Sequence, residues 1–165
     1  MAVPCMHDRP HLFLTGEKGV GKSTLLKKLL GRRKASGFWT VKSCREGQTA
    51  LHLLRPGEGP GEENLLCLCP PPGDEASARR FDLLGCAALE EGGGEVIVMD
   101  ELGPGEAKAE AFQAAVLKAL EGSTPVLGVL QKGDYPLFHR IAAHPRVHLV
   151  EVTVENREGL MEELT

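Results

Sequence analysis

The chain lacks any stretch approaching the ~18 consecutive apolar residues that a membrane-spanning helix needs. Its first residues, with Pro4, His7, Asp8 and Arg9, hold no apolar segment of the kind that directs secretion, so no signal peptide is expected. A surplus of positive charge is missing too: 19 Lys and Arg stand against 23 Asp and Glu, for a net charge of −4. With a pI near 5.9, a nucleic-acid surface is not expected as the main partner. Lys27, Lys28, Arg32, Arg33 and Lys34 do cluster, but at the end of the first helical pattern, where cations complement the helix dipole. No C-x-x-C pair occurs among the five cysteines (Cys5, Cys44, Cys67, Cys69 and Cys86). Their number is odd, and Cys67 and Cys69 alternate within an apolar run. A zinc site is therefore not expected, and reduced thiols in a cytosol are the simplest account. There is no internal repeat. The 165 residues fit one domain with a sizeable core, able to stand as a cytoplasmic monomer without a membrane partner.

What is present centres on Gly16-Glu17-Lys18-Gly19-Val20-Gly21-Lys22-Ser23-Thr24. The apolar run from His11 to Thr15 before it reads as a short buried strand. Leu25, Leu26, Leu29 and Leu30 after it recur at helical spacing. A strand, then G-x-x-x-x-G-K-S, then a helix is the context of a phosphate-binding loop. Its glycines let the backbone wrap closely round an anion, and the N–H groups opening the helix point at it. Lys22 supplies a cation for the β- and γ-phosphates, and the Ser23 hydroxyl is placed to ligate Mg²⁺. A nucleoside triphosphate, whether ATP, GTP or another, is the expected ligand.

Further along, Phe38 to Lys42 and Gln48 to Leu54 read as strands of a hairpin turning at Arg45-Glu46-Gly47, after a turn over 32–36. Residues 55–64, rich in Gly, Pro and acids, read as a flexible loop, as do 70–74 and the first ten residues. Leu65 to Cys69 is a further strand. Phe81, Leu84 and Ala88 mark an amphipathic helix from Glu75 to Glu91, stopped by Gly92-Gly93-Gly94. Val96-Ile97-Val98-Met99 is a continuous apolar run, the mark of a strand buried on both faces. A helix from about Glu106 to Leu120, a buried strand from Pro125 to Leu130 and a helix from Tyr135 to Ala143 follow. A strand from Val147 to Val154 and a helix from Asn156 to Leu164, capped by Asn156, complete the chain. This alternation predicts a three-layer α/β fold: a mostly parallel sheet, helices on both faces, and an inserted β-hairpin.

In such a sheet ligands bind at the carboxyl ends of the strands. Asp100 closes the Val96–Met99 run and has the placement of a Walker B aspartate that assists Mg²⁺. Glu101, beside it, can orient and polarise an attacking water. Two other functions fit parts of the pattern. Asp100-Glu101-Leu102-Gly103 is also D-x-x-G, and Gln131-Lys132-Gly133-Asp134 is close to the guanine-reading N-K-x-D. A GTP-dependent switch is thus one alternative, although the helix over 75–91 precedes the Asp100 strand and Gln131 replaces the asparagine. A small-molecule or nucleotide kinase is another, with Arg79, Arg80 and Arg140 as candidate lid arginines.

Leu14-Thr15-Gly16 through Leu25, Gly37-Phe38-Trp39-Thr40, Val96 through Gly103, Phe112, Pro125-Val126-Leu127-Gly128 and Val152 through Arg157 occur in an order with a known counterpart. The chain resembles the family of the cancer-related nucleoside-triphosphatase and its thermophile relatives, over most of its length from His11 to Leu160. The resemblance implies a RecA-like P-loop fold and Mg²⁺-dependent hydrolysis of nucleoside triphosphates with little preference among bases. It assigns Lys22 and Ser23 to phosphate and metal, and Asp100 and Glu101 to metal and water. Glu155-Asn156-Arg157 maps to an element near the base, so Asn156 and Arg157 join the phosphate loop as expected nucleotide contacts. The chain departs from the family in a short segment before Gly37, in Gly103-Pro104-Gly105-Glu106 after the acidic pair, and around Arg45-Glu46-Gly47, which keeps only part of a longer arginine motif.

Overall fold

The computed structural model describes residues 9–68, 75–104 and 107–164. The apolar runs form one seven-stranded sheet, in the order β4-β3-β2-β5-β6-β1-β7. These strands are β1 (His11–Thr15), β2 (Ala35–Arg45), β3 (Gln48–Leu54), β4 (Leu65–Leu68), β5 (Val96–Leu102), β6 (Val126–Leu130) and β7 (Val147–Glu151). From β2 through β5, β6 and β1 to β7 all neighbours are parallel. The hairpin β2–β3 and the edge strand β4 extend the sheet antiparallel. The fold is the expected α/β sandwich with an inserted hairpin.

Among the described residues five α-helices cover the sheet: α1 (Lys22–Leu30), α2 (Glu75–Glu91), α3 (Glu110–Glu121), α4 (Pro136–Ala142) and α5 (Arg157–Leu164). Strand alternation sends Phe13 and Leu14 to opposite faces, and each joins a separate core. Phe13 packs with Phe38, Phe81, Phe112, Leu130, Leu137 and Ile141 under α2, α3 and α4. Leu14 packs with Leu25, Leu26, Val98, Val129, Val152 and Leu160 under α1 and α5. β5 is buried on both faces, as its unbroken apolar run predicts. Among the described residues no helix is long and apolar enough to cross a membrane.

Several boundaries differ from the sequence reading, each for a local reason. The segment over 32–36 is a turn only in its first half. β2 already begins at Ala35, because the Lys34 carbonyl accepts from the N–H groups of Glu95 and Val96 and sets the register with β5. The hairpin turns on Glu46 and Gly47, both at positive φ (48° and 81°), a geometry suited to the twist of the flanking strands. α3 starts at Glu110, not near Glu106, and 105–106 lie outside the described residues. β7 ends at Glu151: beyond it the Val152 N–H still bonds the Thr15 carbonyl (2.7 Å), and the chain then turns into α5. The expected loop at 70–74, Cys69 and residues 1–8 also lie outside the described residues.

Asn156 was expected to cap α5 with its side chain. Instead Thr153 Oγ1 accepts from the Asn156 N–H (3.1 Å) while Asn156 Oδ1 accepts from the Thr153 N–H (2.7 Å). That reciprocal pair has the form of a capping box one turn ahead of α5; Asn156 itself stands directly before the helix, and its carbonyl accepts from the Leu160 N–H (2.9 Å). The segment 55–64 carries an internal hydrogen-bond set around Asn64, which is buried: its Oδ1 accepts from the Gly61 N–H (2.9 Å) and its Nδ2 donates to the Gly59 carbonyl (2.9 Å). His52 Nδ1 lies 3.0 Å from Asn64 Oδ1 and its Nε2 2.8 Å from Ser43 Oγ, linking that segment to the hairpin.

Candidate functional site

At the end of β1 the chain bends through Gly16 at φ 142°, where a Cβ would stand 2.3 Å from the Val152 carbonyl oxygen. Only glycine fits this approach of two backbones, so the loop starts where the sequence has Gly. Gly21, at φ 98°, closes the loop and opens α1 without a side-chain cap. The first bond of the helix runs from the Leu25 N–H to the Gly21 carbonyl (2.9 Å). The amides of Lys22, Ser23 and Thr24 therefore have no intrahelical acceptor, and with the helix dipole they form an anion-binding end. Val20 is buried in the core and anchors the loop, whereas Glu17, Lys18 and Gly19 form its exposed rim. Lys22 Nζ donates to the Gly16 carbonyl (2.6 Å) and the Glu17 carbonyl (3.3 Å), which folds the cation back over the loop.

β5 brings its acidic end to the same place. Asp100 is 6 % exposed, and its Oδ1 accepts from Ser23 Oγ at 3.1 Å. Burial pushes the Asp100 carboxyl above the ordinary carboxylate range, and the neighbouring Glu101 adds to the rise. The Ser23 hydrogen bond and the Lys27 and Lys22 charges oppose it. The backbone around the acidic pair is held by a residue to which the sequence reading gave no role. Thr40 Oγ1 donates to the Asp100 carbonyl (3.3 Å) and accepts from the Glu101 N–H (3.1 Å). The peptide bond between the two acids is cis. Trp39 is in register with Asp100 on β2, which runs close to β5 because a Cβ at Gly37 would meet the Val98 carbonyl oxygen at 2.1 Å. Thr40 stands in the motif Gly37-Phe38-Trp39-Thr40, so the signal was visible, but its reach to the acids depends on β2 and β5 pairing.

The structure thus gathers Gly16 through Thr24, Asp100 and Glu101 at one end of the sheet. Arg157 joins them: its Nη1 is 3.5 Å from the Val20 carbonyl, and its Cδ would lie 3.9 Å from a Cβ at Gly21. Asn156 does not present a free amide there. Its Nδ2 donates to the Glu151 carbonyl (2.9 Å) and its Oδ1 takes the Thr153 N–H, so both ends of the amide are engaged by backbone. Glu155 is exposed on the same turn. Thr15 Oγ1, just ahead of the loop, is buried without a hydrogen-bond partner among the described residues. On the far side of the loop, Lys132 Nζ contacts Glu151 Oε2 (2.9 Å) and Glu17 Oε1 (3.5 Å).

Comparison with known proteins gives a consistent picture. A family model described as NTPase matches residues 75–165, which include Asp100, Glu101 and Arg157 but not the phosphate loop. The nucleoside-triphosphatase THEP1 of Thermotoga maritima is 29% identical over 161 residues, covering 93% of this chain and 92% of the relative. Two solved structures superpose over nearly the whole chain. The crystal structure of THEP1 from the hyperthermophile Aquifex aeolicus gives a TM-score of 0.70 at 26% identity, covering 94% of this chain and 96% of that one. The solution structure of a human cancer-related nucleoside triphosphatase gives a TM-score of 0.62, also at 26% identity, over 93% and 94% of the two chains.

Proposed function

The chain belongs to the NTPase family and is a nucleoside-triphosphate phosphohydrolase, and we propose that it uses Mg²⁺ and accepts nucleoside triphosphates with little preference for the base. The observation that carries this reading is the 3.1 Å hydrogen bond from Ser23 to Asp100, which joins the phosphate loop to the acidic strand end. A hydroxyl and a carboxylate are hard oxygen donors, and Mg²⁺ typically takes one or two such protein ligands together with substrate phosphates and waters. Ser23 and Asp100 therefore fit the ion, Ser23 as a direct ligand and Asp100 as its partner. When bound, the metal neutralises charge on the phosphates.

The roles of the chain's own groups follow from where they stand. The amides of the loop and of the first turn of α1 bind and orient the phosphates. Lys22 exchanges the Gly16 and Glu17 carbonyls for phosphate oxygens and stabilises the charge that builds on them during transfer. Glu101, fixed through its N–H by Thr40, orients and deprotonates the attacking water, giving nucleoside diphosphate and phosphate. Arg157 lies along the loop where its planar cation can meet the nucleotide. With its amide engaged by backbone, Asn156 supports the Arg157 turn and leaves base contact to others. That arrangement suits low base preference, since the one side-chain amide of the turn is held by backbone.

The rival readings gain little from the same geometry. Asp134, the would-be guanine reader, is hydrogen-bonded to His139. Arg80, a candidate lid arginine, donates to the carbonyls of Leu65, Glu62 and Glu63.

The test is phosphate release from ATP, GTP, CTP and UTP by the parent, Lys22→Ala and Glu101→Gln. Parent rates among the four are expected to agree within about tenfold, roughly the factor that 1.4 kcal/mol of base contact would give. Glu101→Gln is expected to keep nucleotide affinity and to lose about 10²–10⁴ in turnover, the range for a positioned general base. Lys22→Ala should lose both, and chelation of Mg²⁺ should stop the parent. Unchanged turnover in Glu101→Gln would overturn the base assignment, and release that depends on an added small metabolite would replace the hydrolase with a kinase.

A further inference from the structure

Lys132 belongs to the one quasi-motif, Gln131-Lys132-Gly133-Asp134, for which the hydrolase reading has found no use. The topology gives it a particular address. β1 and β6 are parallel neighbours, but the chain leaves β1 through α1 towards β2 and leaves β6 through α4 towards β7, on the other side of β1. α1 and α4 lie on opposite faces of the sheet. The connections diverge at this pair of strands, and in open α/β sheets the crevice at such a divergence is where ligands bind. One wall of the crevice is the phosphate loop after β1. The other is the segment that starts at Gln131, with the acidic end of β5 next to it.

Lys132 reaches across that crevice to the phosphate loop itself. Its Nζ is 2.9 Å from Glu151 Oε2 and 3.5 Å from Glu17 Oε1, with side-chain exposures of 45% for Lys132, 53% for Glu151 and 78% for Glu17. These two carboxylates raise the Lys132 ammonium above its usual range, Glu151 having the larger effect. Ion pairs this exposed contribute little and open readily. An ammonium is a mobile point charge with three donors, able to change partners without rearranging the backbone. Glu17 also poses a problem that Lys132 answers: a carboxylate on the loop repels an incoming polyanion unless a cation stands beside it.

We propose that Lys132 is a second phosphate-binding cation, held on Glu17 and Glu151 before substrate arrives and transferred to the terminal phosphate of the bound triphosphate. Lys22 approaches that phosphate from within the loop and Lys132 from the β6 side, so the charge spreading over the equatorial oxygens meets cations from two directions. A diphosphate has no group at that position and leaves Lys132 on its carboxylates. This assignment rests on the nucleotide-hydrolase reading and gives it a means of telling triphosphate from product.

The test compares binding of ADP and of a non-hydrolysable ATP analogue, each with Mg²⁺, by calorimetry, alongside kcat and KM for ATP. For Lys132→Gln the analogue is expected to bind about tenfold more weakly, a typical scale for one charge-assisted contact of about 1.4 kcal/mol. ADP affinity should stay within twofold, kcat/KM should fall at least in proportion, and Lys132→Arg should recover much of the loss. Glu151→Gln, which removes the nearer carboxylate, is expected to tighten the analogue. Equal weakening of ADP and analogue in Lys132→Gln would mean that the lysine only shapes the loop through Glu17, and the proposal falls. It also falls if neither affinity changes, or if Glu151→Gln leaves the analogue unchanged or weaker. The binding comparison does not depend on turnover, so a parent that binds the analogue but releases no phosphate would overturn the hydrolase reading and leave the fate of Lys132 to the two affinities.

Discussion

His11 opens β1 and shows how a single side chain can join three elements. It is 0 % exposed; its Nε2 donates to the Leu120 carbonyl at the end of α3 (2.8 Å), and its Nδ1 accepts from the Val126 N–H at the start of β6 (3.0 Å). That bonding uses the neutral imidazole, with one nitrogen as donor and the other as acceptor. Burial holds its pKa below the ordinary value of about 6.5, and the charges of Arg146 and His144 push the same way. The sign follows from linkage. Above that ordinary value both folded and unfolded chains carry a neutral His11 and its contribution to stability is complete. As pH falls below it the unfolded chain takes up the proton first, so stability is lost progressively toward the lower folded pKa. Thermal unfolding measured from pH 8 down to pH 5, conditions chosen to span about 6.5, should show the parent losing melting temperature more steeply than His11→Gln. Parallel curves for the two proteins would rule out this role for His11.

Among the elements, the turn between β7 and α5 decides where Arg157 stands. Thr153 and Asn156 exchange two hydrogen bonds across it, and the Arg157 N–H bonds the Thr153 carbonyl (3.1 Å). Replacing Thr153 by Ala removes the bond to the Asn156 N–H, and capping losses of this kind cost about 1 kcal/mol. Because the fault lies on the phosphate-loop side of α5, Thr153→Ala should lower the urea midpoint and weaken nucleotide binding, with kcat little changed. A large fall in kcat with unaltered affinity would contradict a purely positional role for the turn. Asn156 is a good N-cap residue by type and stands directly before α5, but its side chain bonds back to the Thr153 N–H and the Glu151 carbonyl, so it secures the turn instead of the helix amides.

Viewed across the molecule, the helical layer of α2 and α3 is joined to the sheet by aromatic packing in which a glycine has a part. Phe112 is 0 % exposed, stacks on Phe81 at a centroid distance of 6.1 Å and meets Phe38 edge-on at 5.5 Å. Gly85 in the middle of α2 lets this ring close in: a Cβ there would stand 2.2 Å from Phe112 Cδ1. Two effects then oppose each other in Gly85→Ala. Helix propensity favours alanine by about 1 kcal/mol, whereas forcing a methyl into a filled core costs about 1–3 kcal/mol. Phe112 is enclosed by Phe38 and Phe81 and cannot swing away, so overpacking is expected to win. Gly85→Ala should unfold at lower urea than the parent, and a higher midpoint would show that α2 and α3 separate more easily than this contact implies.

Much of this protein could be read directly from the order of its residues. The phosphate loop declares itself because glycine, lysine and serine at fixed spacing between a strand and a helix serve one local purpose, and local purposes leave local patterns. The apolar run ending in Asp100-Glu101 did the same for β5, and period and composition placed α2 from Glu75 to Glu91. What depended on tertiary structure was whatever needs two distant segments to meet. Thr40 gains its hold on the acidic pair only when β2 lies beside β5, and Arg157 reaches the Val20 carbonyl only when the turn before α5 lies against the phosphate loop. The lysine of Gln131-Lys132-Gly133-Asp134 drew notice as part of a base-reading pattern, yet the strand order sets it beside Glu17. Sequence determined what the chain binds, since anion recognition resides in one contiguous loop; the fold decided which other charges surround that loop, because Asp100 comes from 77 residues beyond Ser23 and Lys132 from 115 residues beyond Glu17.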